Sequence, residues 1–202
     1  MHRMVAAGLA ACFGLAVWNA PAQPPAPAAV QPDVLLRSVT AEVTAVLKRD
    51  AAAGQPTDVA QLVEKMILPL FDFPRMTRIA VARNWGQASP EQQAALVEQF
   101  TALLVRTYST ALATYSGQEI RYLPLRSAPG ESEVLVRSSL RRPGLEALTI
   151  DYDMQEGAAG WKVYDVKVAG ISLVMTHREG FAAAVRDGGI DGLIKALADR
   201  NR

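Results

Sequence analysis

Cysteine occurs once and histidine twice in the 202 residues. That scarcity excludes a disulfide framework, a thiol–imidazole couple and any metal cage built on Cys and His. No apolar run reaches the ~20 residues of a membrane-spanning helix; the longest, Val5 to Trp18, has the length of a signal-peptide core. An excess of charge is lacking as well. The 21 basic and 20 acidic side chains give no polyanion-binding surface, so nucleic acid is not expected as a partner. A Walker loop and a G-x-G-x-x-G turn are both missing, which leaves nucleotide chemistry without a cradle.

What is present starts with a short basic segment, Met1 to Met4, then the apolar run, then the small-x-small exit Ala20-Pro21-Ala22. This order predicts a secretory signal peptide over residues 1–22, cleaved after Ala22. Leu9-Ala10-Ala11-Cys12 also spells a lipobox, but the apolar run continues past Cys12 to Trp18, where a lipidated cysteine would close it. Cleavage removes His2, Arg3 and Cys12, leaving 20 basic and 20 acidic groups, one histidine and no thiol in a chain bound for an oxidising compartment. Residues 23–32, rich in Pro and Ala and free of charge, predict an unfolded leader. Residues 33–202 are long enough for one well-buried domain and short for two.

Within that domain Asp33 is a candidate N-cap for a helix whose stripe is Val34, Val39, Val43, Val46 and Leu47, stopped by Gly54. Thr57 or Asp58 caps a second segment ending near Pro69, and Pro74 suits the first turn of a short helix reaching about Arg83. Ser89-Pro90-Glu91-Gln92 combines an N-cap serine, a first-turn proline and a capping-box glutamine, so the longest helix opens there and runs to about Tyr115. After Gly117 the period changes from 3.6 to 2. Strands are expected at 119–126, 133–140, 147–155 and 161–168, with hairpin-length separators that imply an antiparallel meander. Helical pattern resumes after Ile171, breaks at Gly188-Gly189 and closes the chain. Helices, then strands, then helices predict an α+β fold, with a helical layer packed on a curved antiparallel sheet of four or more strands.

Catalytic candidates are few. The remaining histidine, His177, lies between Thr176 and Arg178 and is expected at the surface. Asp151 and Asp153 share a strand face and are read as the wet side of a hairpin; Asp151 to Lys162 fits a calcium loop poorly, because Lys162 fills the twelfth place. Asp72, between Phe71 and Phe73, and Asp165, in Val163-Tyr164-Asp165-Val166, are carboxylates among bulky apolar neighbours. Each needs a backbone amide, hydroxyl or arginine, and each is expected to fasten helices to sheet, with Arg75 and Arg78 as candidate partners of Asp72. No catalytic residue, metal ligand or cofactor is expected, and the chain is not read as an enzyme.

One strand is anomalous. Along Gly160 to Val174, strict alternation puts Trp161, Val163 and Asp165 on one face and Lys162, Tyr164, Val166 and Val168 on the other, with large apolar groups on both. The runs FDFPRMTRIAVARNW, FTALLVRTYSTALATY and GWKVYDVKVAGISLV, followed by Arg178, Phe181 and GIDGLIKALADRN, together resemble the MlaC / toluene-tolerance Ttg2D family over about Asp33 to Asn201. A related branch is linked to hopanoid metabolism, so a hopanoid-associated or other lipid-binding relative is one alternative reading, and a non-carrying periplasmic assembly subunit with a closed core is another. The resemblance implies a periplasmic phospholipid-binding protein whose helices and twisted sheet enclose an apolar pocket, with bound phospholipid as cargo. It implies partners too: an outer-membrane lipoprotein–porin complex, and an inner-membrane ABC transporter with its membrane-anchored lipid-binding subunit, the system maintaining outer-membrane lipid asymmetry. Arg137, Arg141 and Arg142 are candidate docking charges. The pocket residues so implied are Phe71, Phe73, Met76, Leu104, Tyr108, Leu112, Val134, Val136, Ile150, Tyr152, Val163, Val166, Ile171 and Val174.

Overall fold

The computed structural model describes residues 30–113, 118–128, 130–141, 144 and 146–202, with the side chains of 110–113 left out. The expected signal peptide and residues 23–29 of the expected leader lie outside the described residues, as does Arg142.

Helix α1 spans Pro32–Ala52, with Pro32 in its first turn and Asp33 inside that turn; the N-cap is Gln31, without a side-chain cap bond, where the sequence favours Asp33. The buried stripe of α1 also differs from the expected one. Leu36 and Val43 are buried, whereas Val34 is 51 % exposed. The face that packs runs through Leu36, Val39, Thr40, Val43, Thr44 and Leu47, and a search for apolar residues alone drops its two threonines. Asp58 then caps α2 (Val59–Leu62) by accepting from the Gln61 amide at 3.0 Å. The chain continues through one π-helical turn, Val63–Ile67, and a 3₁₀ turn, Leu68–Leu70.

Helix α3 (Phe73–Val81) is capped by Asp72, whose carboxylate accepts from the Arg75 amide at 2.9 Å. The backbone N–H of Asp72 donates to the Val163 carbonyl at 2.8 Å, which ties this helix to the sheet. The link to the sheet is therefore made by the backbone of Asp72 and not, as expected, by its carboxylate, which caps its own helix; among the described residues that carboxylate pairs with no arginine side chain. Helix α4 (Pro90–Ala113) opens with the reciprocal capping box: the Gln92 amide donates to Ser89 Oγ at 3.2 Å, and the Ser89 amide donates to Gln92 Oε1 at 3.0 Å. Helix α5 (Arg178–Arg200) follows a 3₁₀ turn at Met175–His177 and is interrupted at Gly189, whose φ of 67° and ψ of −170° suit glycine almost alone.

The strands are β1 (Glu119–Tyr122), β2 (Glu133–Arg141), β3 (Leu148–Gly157), β4 (Gly160–Val168) and the two-residue β5 (Ile171–Ser172), an antiparallel meander in the order β1-β2-β3-β4-β5. The anomaly of β4 is resolved by a β-bulge. Asp153 pairs with Asp165 but Met154 pairs with Val163, so Tyr164 is an extra residue without an opposite number. The insertion shifts the alternation by one. Val163, Val166 and Val168 therefore face the same side as Met154, Tyr152 and Ile150, in place of the two-faced arrangement that strict alternation predicts.

The core is divided. One cluster joins α3, α4 and α5 around Leu96, Phe100, Leu193 and Leu197; the other joins α1 to the sheet around Val136, Met154 and Val163. Phe71 packs against both. His177, expected at the surface, is half-buried instead: its ring centroid lies 5.2 Å from that of Phe100 and 5.5 Å from that of Phe181. An imidazole flanked by two phenyl rings behaves as an aromatic packing unit, and burial together with the charge of Arg200 holds its pKa below the ordinary histidine value.

Candidate functional site

A cavity of about 350 Å³ lies where the two halves of the core fail to meet. Helix α1 contributes Leu36, Val39, Thr40, Val43, Thr44 and Leu47 to its wall, and the π and 3₁₀ turns contribute Val63, Ile67, Leu68 and Leu70. Phe71 comes from just after the 3₁₀ turn, Phe73 and Met76 from the start of α3, and Leu104, Val105, Tyr108 and Ser109 from α4. The sheet supplies Ile120 and Tyr122 from β1, Ile150 and Tyr152 from β3, Val166 and Val168 from β4, with Leu173 just past β5. None of these residues is ionisable at neutral pH, and the lining is almost wholly carbon.

The few polar atoms have partners or neighbours of their own. The hydroxyls of Thr40 and Tyr122 share a hydrogen bond of 2.6 Å, and the Tyr122 hydroxyl also reaches the Leu36 carbonyl at 3.3 Å. The Tyr122 and Tyr152 rings stack with centroids 6.4 Å apart. Burial pushes both phenols above their ordinary pKa, Tyr152 the further. Both therefore stay neutral at any physiological pH. Such a chamber solvates hydrocarbon, and no carboxylate, imidazole, thiol or basic side chain is among its lining residues. Among the described residues no cluster of three metal-ligating side chains occurs, and no helix is long and apolar enough to cross a membrane.

Asp165 holds the chamber's sheet side in shape. Only 5 % exposed, its Oδ1 accepts from the Val166 amide at 2.8 Å and the Val174 amide at 3.3 Å, while Oδ2 accepts from Ser172 Oγ at 2.5 Å. It thereby pins the chain on either side of Leu173, a wall residue, and Val174, which belongs to the other core cluster. Burial raises its carboxyl above the usual carboxylate range, and the three donors oppose that rise. Asp153, opposite Asp165 in the register, pairs with Lys167 at 2.7 Å and its side chain is only 17 % exposed, so this face of the sheet is less open to solvent than the reading of Asp151 and Asp153 as a wet side expects.

Eight residues expected from the sequence stand in the wall: Phe71, Phe73, Met76, Leu104, Tyr108, Ile150, Tyr152 and Val166. Leu112 lies beyond the described side chains. Val134, Val136 and Val163 are buried within the packed sheet-side cluster, and Val174 within the helical one, so none of the four fronts the cavity. Ile171, in the short β5, is 64 % exposed and points to solvent. Sequence reasoning missed the α1 contribution, whose signal was available in the spacing of residues 36, 40, 43 and 47, and also the π and 3₁₀ turns, β1, and single residues of α4, β4 and the segment after β5.

A family model described as MlaC protein matches residues 37–199. Toluene tolerance protein ttg2D of Pseudomonas putida is 25 % identical over 167 residues, covering 81 % of this chain and 77 % of that protein. The intermembrane phospholipid transport system binding protein MlaC of Haemophilus influenzae is 22 % identical over 145 residues, covering 70 % and 68 % respectively. A phospholipid-binding protein from Ralstonia solanacearum, solved in complex with a phospholipid, superposes with a TM-score of 0.75 at 38 % identity, covering 84 % of this chain and 96 % of that one.

Proposed function

This chain belongs to the MlaC protein family, and from that premise we propose that it binds and transports phospholipid in the periplasm. The observation that carries the reading is the uncharged, carbon-lined cavity between the two halves of the core. A long acyl chain exposed to water costs on the order of 10 kcal/mol, at ~0.8 kcal/mol per methylene. A lipid therefore crosses an aqueous gap only inside something that shields it. A carrier must shield nearly as well as a bilayer and not much better, or release would fail. A wall of aliphatic and aromatic carbon with a few hydroxyls has that character.

A methylene takes about the volume of a water molecule, roughly 30 Å³, so the cavity accommodates about a dozen. That amounts to most of one acyl tail. The phospholipid-bound relative and the relative named for intermembrane phospholipid transport support the choice of cargo. The route we assign joins an outer-membrane lipoprotein–porin complex to an inner-membrane ABC transporter, with export by a signal peptide cleaved after Ala22. The near-balance of charge suits a protein that must leave each membrane after docking.

Native mass spectrometry of the protein released from its own envelope, without delipidation, tests the cargo. The expected spectrum contains a folded species heavier than the polypeptide by one phospholipid, identified after extraction. A spectrum of empty protein alone overturns the reading.

A further inference from the structure

Helix α4 grades the depth of the cavity. Tyr108, 37 % exposed, is the most open of the wall residues; Leu104, one turn inward, is 6 % exposed and still fronts the cavity. Phe100, a further turn along, is fully buried and belongs to solid core. At ~1.5 Å per residue each of these four-residue steps is about 6 Å. The empty space therefore ends between the levels of Leu104 and Phe100.

What stops it there is the first turn of α3. Met76 and Phe73 both front the cavity, and they pack in or against the same helical cluster that holds Leu104 and Phe100. This stop is braced from both layers of the fold. The Phe73 ring stacks on that of Phe71 with centroids 5.7 Å apart, and Phe71 is bridged in turn to Val163 of β4. Thr77, next to Met76, is fully buried and donates its hydroxyl to the Phe73 carbonyl at 2.8 Å. Packing of that density does not move aside by even one methylene without cost.

A cavity with one firm end and one end at solvent measures whatever enters it. We propose that Met76 and Phe73 are the end stop of an acyl-chain ruler, which sets at about a dozen the number of methylenes that this protein shields. A shorter tail leaves void and loses about fourfold in retention for each missing methylene. A longer one leaves its surplus methylenes in water at the Tyr108 end, where they add nothing. The proposal rests on the carrier reading and adds to it a selection among cargoes by tail length.

The test follows release of lysophosphatidylcholines of increasing tail length from the loaded protein to acceptor vesicles. Release is expected to slow about fourfold with each added methylene up to about a dozen, and to be independent of length beyond that break. Met76→Ala takes three heavy atoms from the stop and should move the break about two methylenes longer, whereas Leu104→Phe adds three carbons at the same level and should move it about as far the other way. A general loss of stability does not displace the break in opposite directions, so the pair decides even where one variant melts lower. A diazirine at the tail's end should crosslink to Phe73, Met76 or Leu104. Release that goes on slowing through the longest tail, a break that either folded variant leaves in place, or crosslinks concentrated on Tyr108 overturns this proposal alone. Failure of the protein to load any of these lipids overturns the carrier reading as well.

Discussion

Val163 and Val166 lie on one strand and face one side of the sheet, yet only Val166 fronts the cavity; Val163 is fully buried in packed core. Replacing each with phenylalanine asks the two environments the same question. The change adds four carbons. At position 166 they enter empty space and occupy about a third of the dozen or so methylene places, which removes ~3 kcal/mol of tail burial and weakens lipid retention roughly a hundredfold. The empty protein should melt no lower than wild type, because the ring fills a void. At position 163 the ring meets occupied volume and should cost about 1–3 kcal/mol of stability, with lipid retention per folded molecule unchanged. Thermal unfolding of lipid-free protein, paired with lipid occupancy by native mass spectrometry, separates the two outcomes. Equal destabilisation by both substitutions, with no selective loss of lipid at Val166→Phe, would refute the hollow.

Asp165→Asn keeps the Oδ1 acceptor for two amides and should cost under about 1 kcal/mol, whereas Asp165→Ala strands the buried Val166 and Val174 amides and should cost about 2–4 kcal/mol in urea unfolding. Ala82, at φ 56° and ψ −129° just past α3, sits where an L side chain is strained, so Ala82→Gly should raise stability by about 1 kcal/mol. His177 is held below its ordinary pKa in the native state, so the unfolded chain binds the proton first as pH falls. Its stability contribution is present above about pH 6.5 and declines below it; His177→Phe should remove that acid-side slope from a melting-temperature profile.

Much of this fold is visible in local chemistry. The capping box at Ser89, the cap at Asp58 and the alternation of Ile150, Tyr152 and Met154 each act over a few residues, and a linear sequence displays them. The bulge at Tyr164 does not show itself, because one inserted residue changes no composition and only the partner strand reveals the slip. The division of the core is hidden for a related reason: an apolar stripe that packs and one that fronts a void carry the same residues. Val136 and Val166 are alike in type and strand period, and only the shape of the opposing helices separates them. Thr40 and Thr44 escape a hydrophobic scan although they stand in the cavity wall. Ile171 looks like a buried residue until the strand containing it proves to be two residues long and at the sheet's edge.

The most direct measurement is a crystal structure of the protein prepared from its own envelope without detergent exchange. The account predicts a continuous tube of lipid density between Phe71 and Val166, in contact with Leu104 and the Leu36 face of α1. A map in which the protein's own side chains close that space would contradict it.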